Sequence, residues 1–404
     1  MKNLKIISWC LYDFANSSFS TIIVTFTFSL YFKEVLVGGS HGIFYWGLLQ
    51  AISYFSAALI SIFIGPYADR NERHKRYFIF FSLLSIVSTG FLFFINKGQA
   101  WLGALLYGLG FIGFSIANIF YNGFLLSISD RQNFGRTSGA GWGIGYLGGL
   151  ACLVLFRPWM NDENIKTTFL LTSAFFLIFS IPSFLSMKQE RTSQEMAPKK
   201  ISLASPLINI FRQPNLRRFF FAFFFYNEAI ATLIAYASLF CRDIYHMSVE
   251  KISTYLIMLQ VTALIGALVS GFWVDRVGSK KTILFFLLTW IFSIVGIYAT
   301  RSDTWFWTLS LFMGLGLGAI QSASRTFMAL SISIHEQGEM MSLFSIATKI
   351  SSFLGPLLFG WIMYGAKNPK NAVWVLILFL SLGLFLLIRT KDPKFSCIEE
   401  SNIG

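Results

Sequence analysis

GPYADRNERHKR at residues 65–76 and GFWVDRVGSKKT at residues 271–282 are two versions of one motif: a glycine, then Asp-Arg four residues on, then paired basic residues. They are offset by 206 positions (65 to 271), and the same offset relates Asn118 to Ser324 and Gly149 to Gly355. The run LSIS at 126–129 also returns at 330–333. A repeat near half of a 404-residue chain means that one architectural unit is used twice. Both copies lie between long apolar runs, so the unit is a bundle of membrane helices. A site for a solute is then expected where the two bundles meet near mid-membrane.

Composition agrees with that reading. Hydrophobic residues are 55% of the chain, aromatic residues 18% and charged residues only 13%, the balance of a chain whose solvent is the bilayer. Crossing the hydrocarbon core takes roughly 20 apolar residues. Runs of that kind recur at 6–32, 43–67, 77–95, 101–128, 137–157, 167–187, 217–240, 252–273, 282–300, 304–332, 340–364 and 372–389. Backbone groups in lipid must be satisfied within the segment, and these runs are too long and uniformly apolar for barrel strands. An all-α membrane protein of twelve transmembrane helices is expected. The longest polar stretch, 188–216, then links an N-terminal six-helix bundle, 1–187, to a C-terminal one with a short tail, 217–404.

The net charge of +13 is a matter of topology. With the N-terminus in the cytoplasm, most basic residues fall in cytoplasmic segments, from Lys2 and Lys5 through Arg70–Arg76 and the linker to Lys391 and Lys394. This asymmetry follows the positive-inside rule, with both termini cytoplasmic as in a bacterial inner membrane, and argues against nucleic-acid binding. The first apolar run is too long for a signal peptide and lacks a small-residue cleavage site, so it reads as a retained span. Cys10, Cys152, Cys241 and Cys397 are singletons without CxxC spacing, and neither disulfides nor a metal site are supported. The histidines lie in loops or at span ends, and no HExxH, P-loop or nucleophile-elbow pattern occurs. Neither an enzyme nor an ATP-driven pump is indicated, and no cofactor is expected.

Four charged side chains stand well inside the spans: Asp13, Glu228, Arg325 and Lys349. Such charges are costly in hydrocarbon, so they face an aqueous chamber, pair, or change protonation. Helical spacing puts them on polar stripes. Asp13, Asn16, Ser17 and Ser20 share a face of span 1, Ser115, Asn118 and Asn122 a face of span 4, and Glu228, Thr232 and Tyr236 a face of span 7. Gln321 and Arg325 are four apart in span 10, as are Ser345 and Lys349 in span 11. Two readings stand for these groups, binding of substrate or protons and fixed salt bridges that latch the halves. An arginine fork holds a carboxylate with two hydrogen bonds, and an acid or an aromatic face such as Tyr226 or Tyr236 suits an ammonium. A zwitterion therefore fits a chamber carrying both signs.

The loop motif between spans 2 and 3, repeated between spans 8 and 9, resembles the signature of the major facilitator superfamily. Within it, WCLYDFANSSFST at 9–21, SGAGWGIGYLGG at 138–149, GLGAIQSASR at 316–325 and KISSFLGPLLFG at 349–360 resemble the family of fungal vacuolar amino-acid effluxers and their bacterial relatives. The resemblance covers essentially the whole chain. It implies a major facilitator fold of two pseudo-symmetric bundles, with spans 1, 4, 7 and 10 around a central cavity and spans 2, 5, 8 and 11 in contact between halves. It also implies a gating role for Asp69, Arg70, Asp275 and Arg276, surer for the second copy, because Glu72 and His74 replace the pattern's Gly278 and Lys280 in the first. Small-residue stripes at Ser53, Ala57, Ser61 and Gly65, at Gly141, Gly145 and Gly149, and at Ala263, Ala267 and Gly271 admit close helix approach, and two readings stand for them, sliding of the halves and static packing. Pro182 and Pro356 are expected kink points.

The expectation is a secondary transporter working by alternating access, with amino acids or similar zwitterions as cargo, protons as coupling ion and the lipid bilayer as its medium, acting as a monomer. Substrate or proton contacts are expected at Asp13, Asn16, Asn118, Asn122, Tyr226, Glu228, Gln321, Arg325 and Lys349. Export of a larger amphipathic metabolite or drug, or a receptor or scaffold without transport, are the alternatives.

Overall fold

A computed structural model describes residues 2–39, 41–70, 74–128, 134–187, 212–300, 302–331 and 348–393. Among them every regular element is helical. The first span opens with α1 (Lys2–Ser18), loosens into a π-helical turn at Phe19–Val24, breaks at Phe26, and continues through a short helix at Thr27–Tyr31 to a second π turn at Phe32–Val37. There follow α2 (His41–Arg70), α3 (His74–Phe91), α4 (Ala100–Ile128), α5 (Phe134–Leu155) and α6 (Thr167–Ser186). The second half holds α7 (Pro214–Tyr245), α8 (Val249–Val277), α9 (Ser279–Ala299), α10 (Asp303–Leu330), α11 (Leu354–Gly365) and α12 (Val373–Ile388). Among the described residues ten segments are long and apolar enough to cross a membrane, with the apolar part of α5, Ala140–Leu155, and α11 shorter. Residues 188–211 of the expected linker lie outside the described residues. Helix α7 starts at Pro214 rather than at 217, since proline presets the helical φ at a first-turn position that needs no N–H donor.

Packing follows the repeat. In the first half α1 lies on α5 and α6, and α3 on α4 and α6; in the second half α8 and α9 lie on α10, and α7 on α12. Lipid tails offer no hydrophobic drive between helices, so close approach comes from residues without side chains. A Cβ on Gly148 would strike the backbone of Phe14, and one on Gly266 the carbonyl of Leu315. The halves meet where α2 touches α11, where α5 touches α8, and where the Thr27–Tyr31 helix touches α7.

Those contacts fall on the expected spans, and the stripes of α5 and α8 mostly serve static packing within their own bundles. Gly141 faces Trp9 and Tyr121, and Gly145 faces Asp13 and Ser17, all within the first bundle. Ala263 and Ala267 take up the bare surface of Gly318 on α10 within the second bundle. Gly149 reaches both halves, beside Thr21 and Gln260. Spacing identifies a face that admits close approach and leaves its neighbour undetermined.

The discontinuity in span 11 also differs from expectation. The helix is interrupted at residues 351–353 and resumes at Leu354. Pro356 sits in the first turn of the new helix, where its missing N–H costs nothing, so the chain breaks before the proline rather than at it.

Candidate functional site

Arg325, on the half of α10 nearer the chain termini, reaches across to the N-terminal bundle. Its guanidinium carbon lies 4.9 Å from the centre of the Trp142 ring on α5, within electrostatic range of the Asp13 carboxylate. Asp13 has room to turn inward because residue 145 is glycine: a Cβ there would lie 3.2 Å from the Asp13 carboxylate. Three residues further along the first span, the Asn16 amide donates to Oδ1 of Asn118 on α4 at 3.0 Å. Below this layer Trp9 stacks on Tyr121, with centroids 4.5 Å apart and planes at 7°, and donates from Nε1 to the Tyr121 carbonyl at 2.9 Å. The polar stripes of spans 1, 4 and 10 thus converge on one layer between the bundles. Gln321, one turn from Arg325, is half-buried and makes no hydrogen bond with the described residues, and Asn122 is half-buried on α4.

Lys349 approaches the same interface from span 11, with Nζ 5.8 Å from the Phe114 ring of α4. No carboxylate among the described residues pairs with it.

Span 7 has a different task. Glu228 is fully buried, and its two oxygens accept the backbone N–H groups of Leu354 (3.2 Å) and Gly355 (2.6 Å). Beside it the Asn227 amide donates to the carbonyls of Thr348 and Ser351 and to the hydroxyls of Ser351 and Ser352. Two adjacent side chains therefore satisfy the backbone groups freed by the break in span 11. The carboxylate also sits at the positive end of the resuming helix. Glycine at 355 permits this, since a Cβ would lie 2.9 Å from Oε2 of Glu228. The other members of the stripe are buried: Thr232 bonds back to the Glu228 carbonyl, and Tyr236 donates to the Ile43 carbonyl across the bundle interface. Tyr226 is packed inside the second bundle with its hydroxyl 2.7 Å from that of Ser324.

At the end of the molecule away from the termini, an ion cluster absent from the sequence-based expectations joins the halves. Lys33 meets Asp243 at 2.5 Å, Arg242 meets Glu34 at 2.9 Å, and Arg242 also reaches Asp162 at 3.4 Å. Beneath it, Ser238 donates to the Thr25 carbonyl at the break in the first span, and Trp46 Nε1 donates to the Ala235 carbonyl at 2.9 Å.

In the loop motifs, the side chains of Asp69 and Arg70 lie outside what the structure describes, and those of Asp275 and Arg276 are exposed. The first turn of α9 is capped by Asp392, whose Oδ2 accepts from Lys280 N at 2.9 Å. Gly278, at φ +92°, admits that carboxylate in a conformation that side chains avoid.

Comparison with known proteins agrees with this architecture. The family described as "Vacuole effluxer Atg22 like" matches residues 45–133 and 126–394. The uncharacterized MFS-type transporter YxiO of Bacillus subtilis is 29% identical, with 97% of this chain and 96% of that protein aligned. Autophagy-related protein 22 of Kluyveromyces lactis is 24% identical over 83% of this chain and 77% of its own. Among solved structures, an inward-facing, unoccupied bacterial homolog of the human lysosomal transporter Spinster superposes with a TM-score of 0.68 at 14% identity, covering 96% of this chain and 95% of its own. The nucleoside transporter NupG does so at 0.71 and 13%, covering 95% and 98%.

Proposed function

Because the chain belongs to the Atg22-like vacuole effluxer family and is a membrane transporter of the major facilitator type, we propose that it carries small zwitterions, amino acids first, by alternating access coupled to protons. The observation that carries this reading is that Arg325 of the second bundle lies over the Trp142 ring of the first, within electrostatic range of the Asp13 carboxylate. A bound amino acid bridges the two groups. Its carboxylate takes the guanidinium fork, its ammonium takes Asp13 and the aromatic faces, and Asn16, Asn118, Asn122 and Gln321 line the surrounding layer.

Two sets of contacts between the bundles support alternation. The Arg242–Glu34 and Lys33–Asp243 clasp lies at one end and the Asp13–Arg325 layer lies toward the other. Opening either set alone exposes the interior to one side of the membrane. With both termini cytoplasmic, the clasp closes the external side. A carboxylate that loses its cationic partner within a membrane takes up a proton, so Asp13 links proton movement to substrate exchange. One chain carries all of these groups, and the working unit is a monomer.

Counterflow of labelled amino acids in proteoliposomes, with and without a pH gradient, tests the reading. Wild type is expected to exchange and to accumulate against the gradient, Arg325→Ala to lose both, and Asp13→Asn to keep exchange while losing proton-driven accumulation. Equal flux in all three would refute the assignment.

A further inference from the structure

The charges inside the membrane do not balance once their partners are assigned. Asp13 faces Arg325. Glu228 is held by the backbone N–H groups of Leu354 and Gly355 and by the positive end of α11. Lys349 is left half-buried beside the Phe114 ring, with no counter-charge among the described residues. A cation so placed is paid for by an anion that comes and goes, and in a carrier that anion is the cargo.

The contacts also fix how far apart the two ends of such a ligand stand. On α4, Phe114 is one turn from Asn118; Asn118 bonds Asn16, and Asn16 is three residues from Asp13. The first span and α4 run in opposite directions, so these steps add. At 1.5 Å of rise per residue they separate the Lys349 level from the Asp13–Arg325 level by about 10 Å. A neutral amino acid has its only carboxylate and its ammonium at one carbon, so it satisfies the pair and leaves Lys349 bare. An amino acid whose side chain ends in a second carboxylate spans the gap, with a charge-assisted bond of about 2.8 Å at each end.

We infer that the cargo is an acidic amino acid or a similar net-negative zwitterion, whose side-chain carboxylate binds Lys349 while its backbone groups bind Arg325 and Asp13. This rests on the zwitterion reading above and narrows it. The Phe114 ring offers the ammonium a π face at 5.8 Å.

The test is uptake of labelled glutamate and glutamine, equal in length and different in charge, by wild type, Lys349→Met and Lys349→Arg in proteoliposomes. Wild type is expected to favour glutamate. Lys349→Met is expected to lower the preference for glutamate over glutamine, read as the ratio of their KM values, by about tenfold to a hundredfold, and Lys349→Arg to restore much of it. That restoration, with a monodisperse elution profile for each variant, separates lost recognition from lost folding. Equal kcat/KM for glutamate and glutamine in wild type, or an unchanged preference in Lys349→Met, would overturn the inference and leave the zwitterion reading standing. Wild type carrying neither would overturn both.

Discussion

Replacing Glu228 by Gln asks what that carboxylate is for. The side chain keeps its size but retains one oxygen acceptor, so either Leu354 or Gly355 presents its N–H to an amide NH2. Losing one charge-assisted hydrogen bond costs about 1.5–3 kcal/mol. Removing a negative charge from a helix N-terminus costs a further ~0.3–1 kcal/mol. The change of about 2–4 kcal/mol is local to the break in span 11 and raises the population of its opened form roughly 30- to 700-fold. Hydrogen exchange of the protein in nanodiscs, followed on peptides containing residues 350–358, reads this directly, and peptides from α9 serve as the control. Proton-driven flux and exchange should then fall together, since both need span 11 intact. Protection at 354 and 355 that stays within threefold of wild type would refute the capping role. If, with that protection intact, proton-driven flux alone were lost, Glu228 would instead be a proton carrier, as its position on a polar stripe first suggested.

Two further outcomes follow from the same geometry. Gly355→Ala forces a methyl group to within 2.7 Å of the Glu228 carbonyl oxygen, an overpacking cost of about 1–3 kcal/mol, so the melting temperature should fall and conservative repacking at Thr232 should recover part of it. Removing Lys33 and Arg242 together deletes four ion pairs of about 0.2–1 kcal/mol each. A cysteine placed at Ser238 should then react several-fold faster with an impermeant maleimide from the clasp side, and an unchanged rate would show that the clasp does not hold that end.

Much of the site was legible because charge in an apolar run violates the local composition. Asp13 and Arg325 were each visible as costly residues, and the stripe containing Asn16 and Asn118 followed from helical spacing. The structure brings those four residues into one layer. Glu228 was visible for the same reason, yet its partners were not. They are backbone N–H groups 126 and 127 residues away, and they become donors only because span 11 unwinds. Lys33, Glu34, Asp162, Arg242 and Asp243 read as ordinary loop and span-end charges, since nothing local says that three separate segments converge. Asn227 carried no signal beyond being a polar neighbour of Glu228.

Hydropathy, the half-length repeat and the two loop motifs were enough to establish a twelve-span chain of two related bundles, because a bilayer leaves the backbone few alternatives and every residue of a span reports on it. Which buried charge meets which partner was decided by tertiary structure alone. Helix periodicity assigns a residue to a face, but the identity of the facing helix, and the place where a helix gives up its own hydrogen bonds, depend on packing between segments hundreds of residues apart.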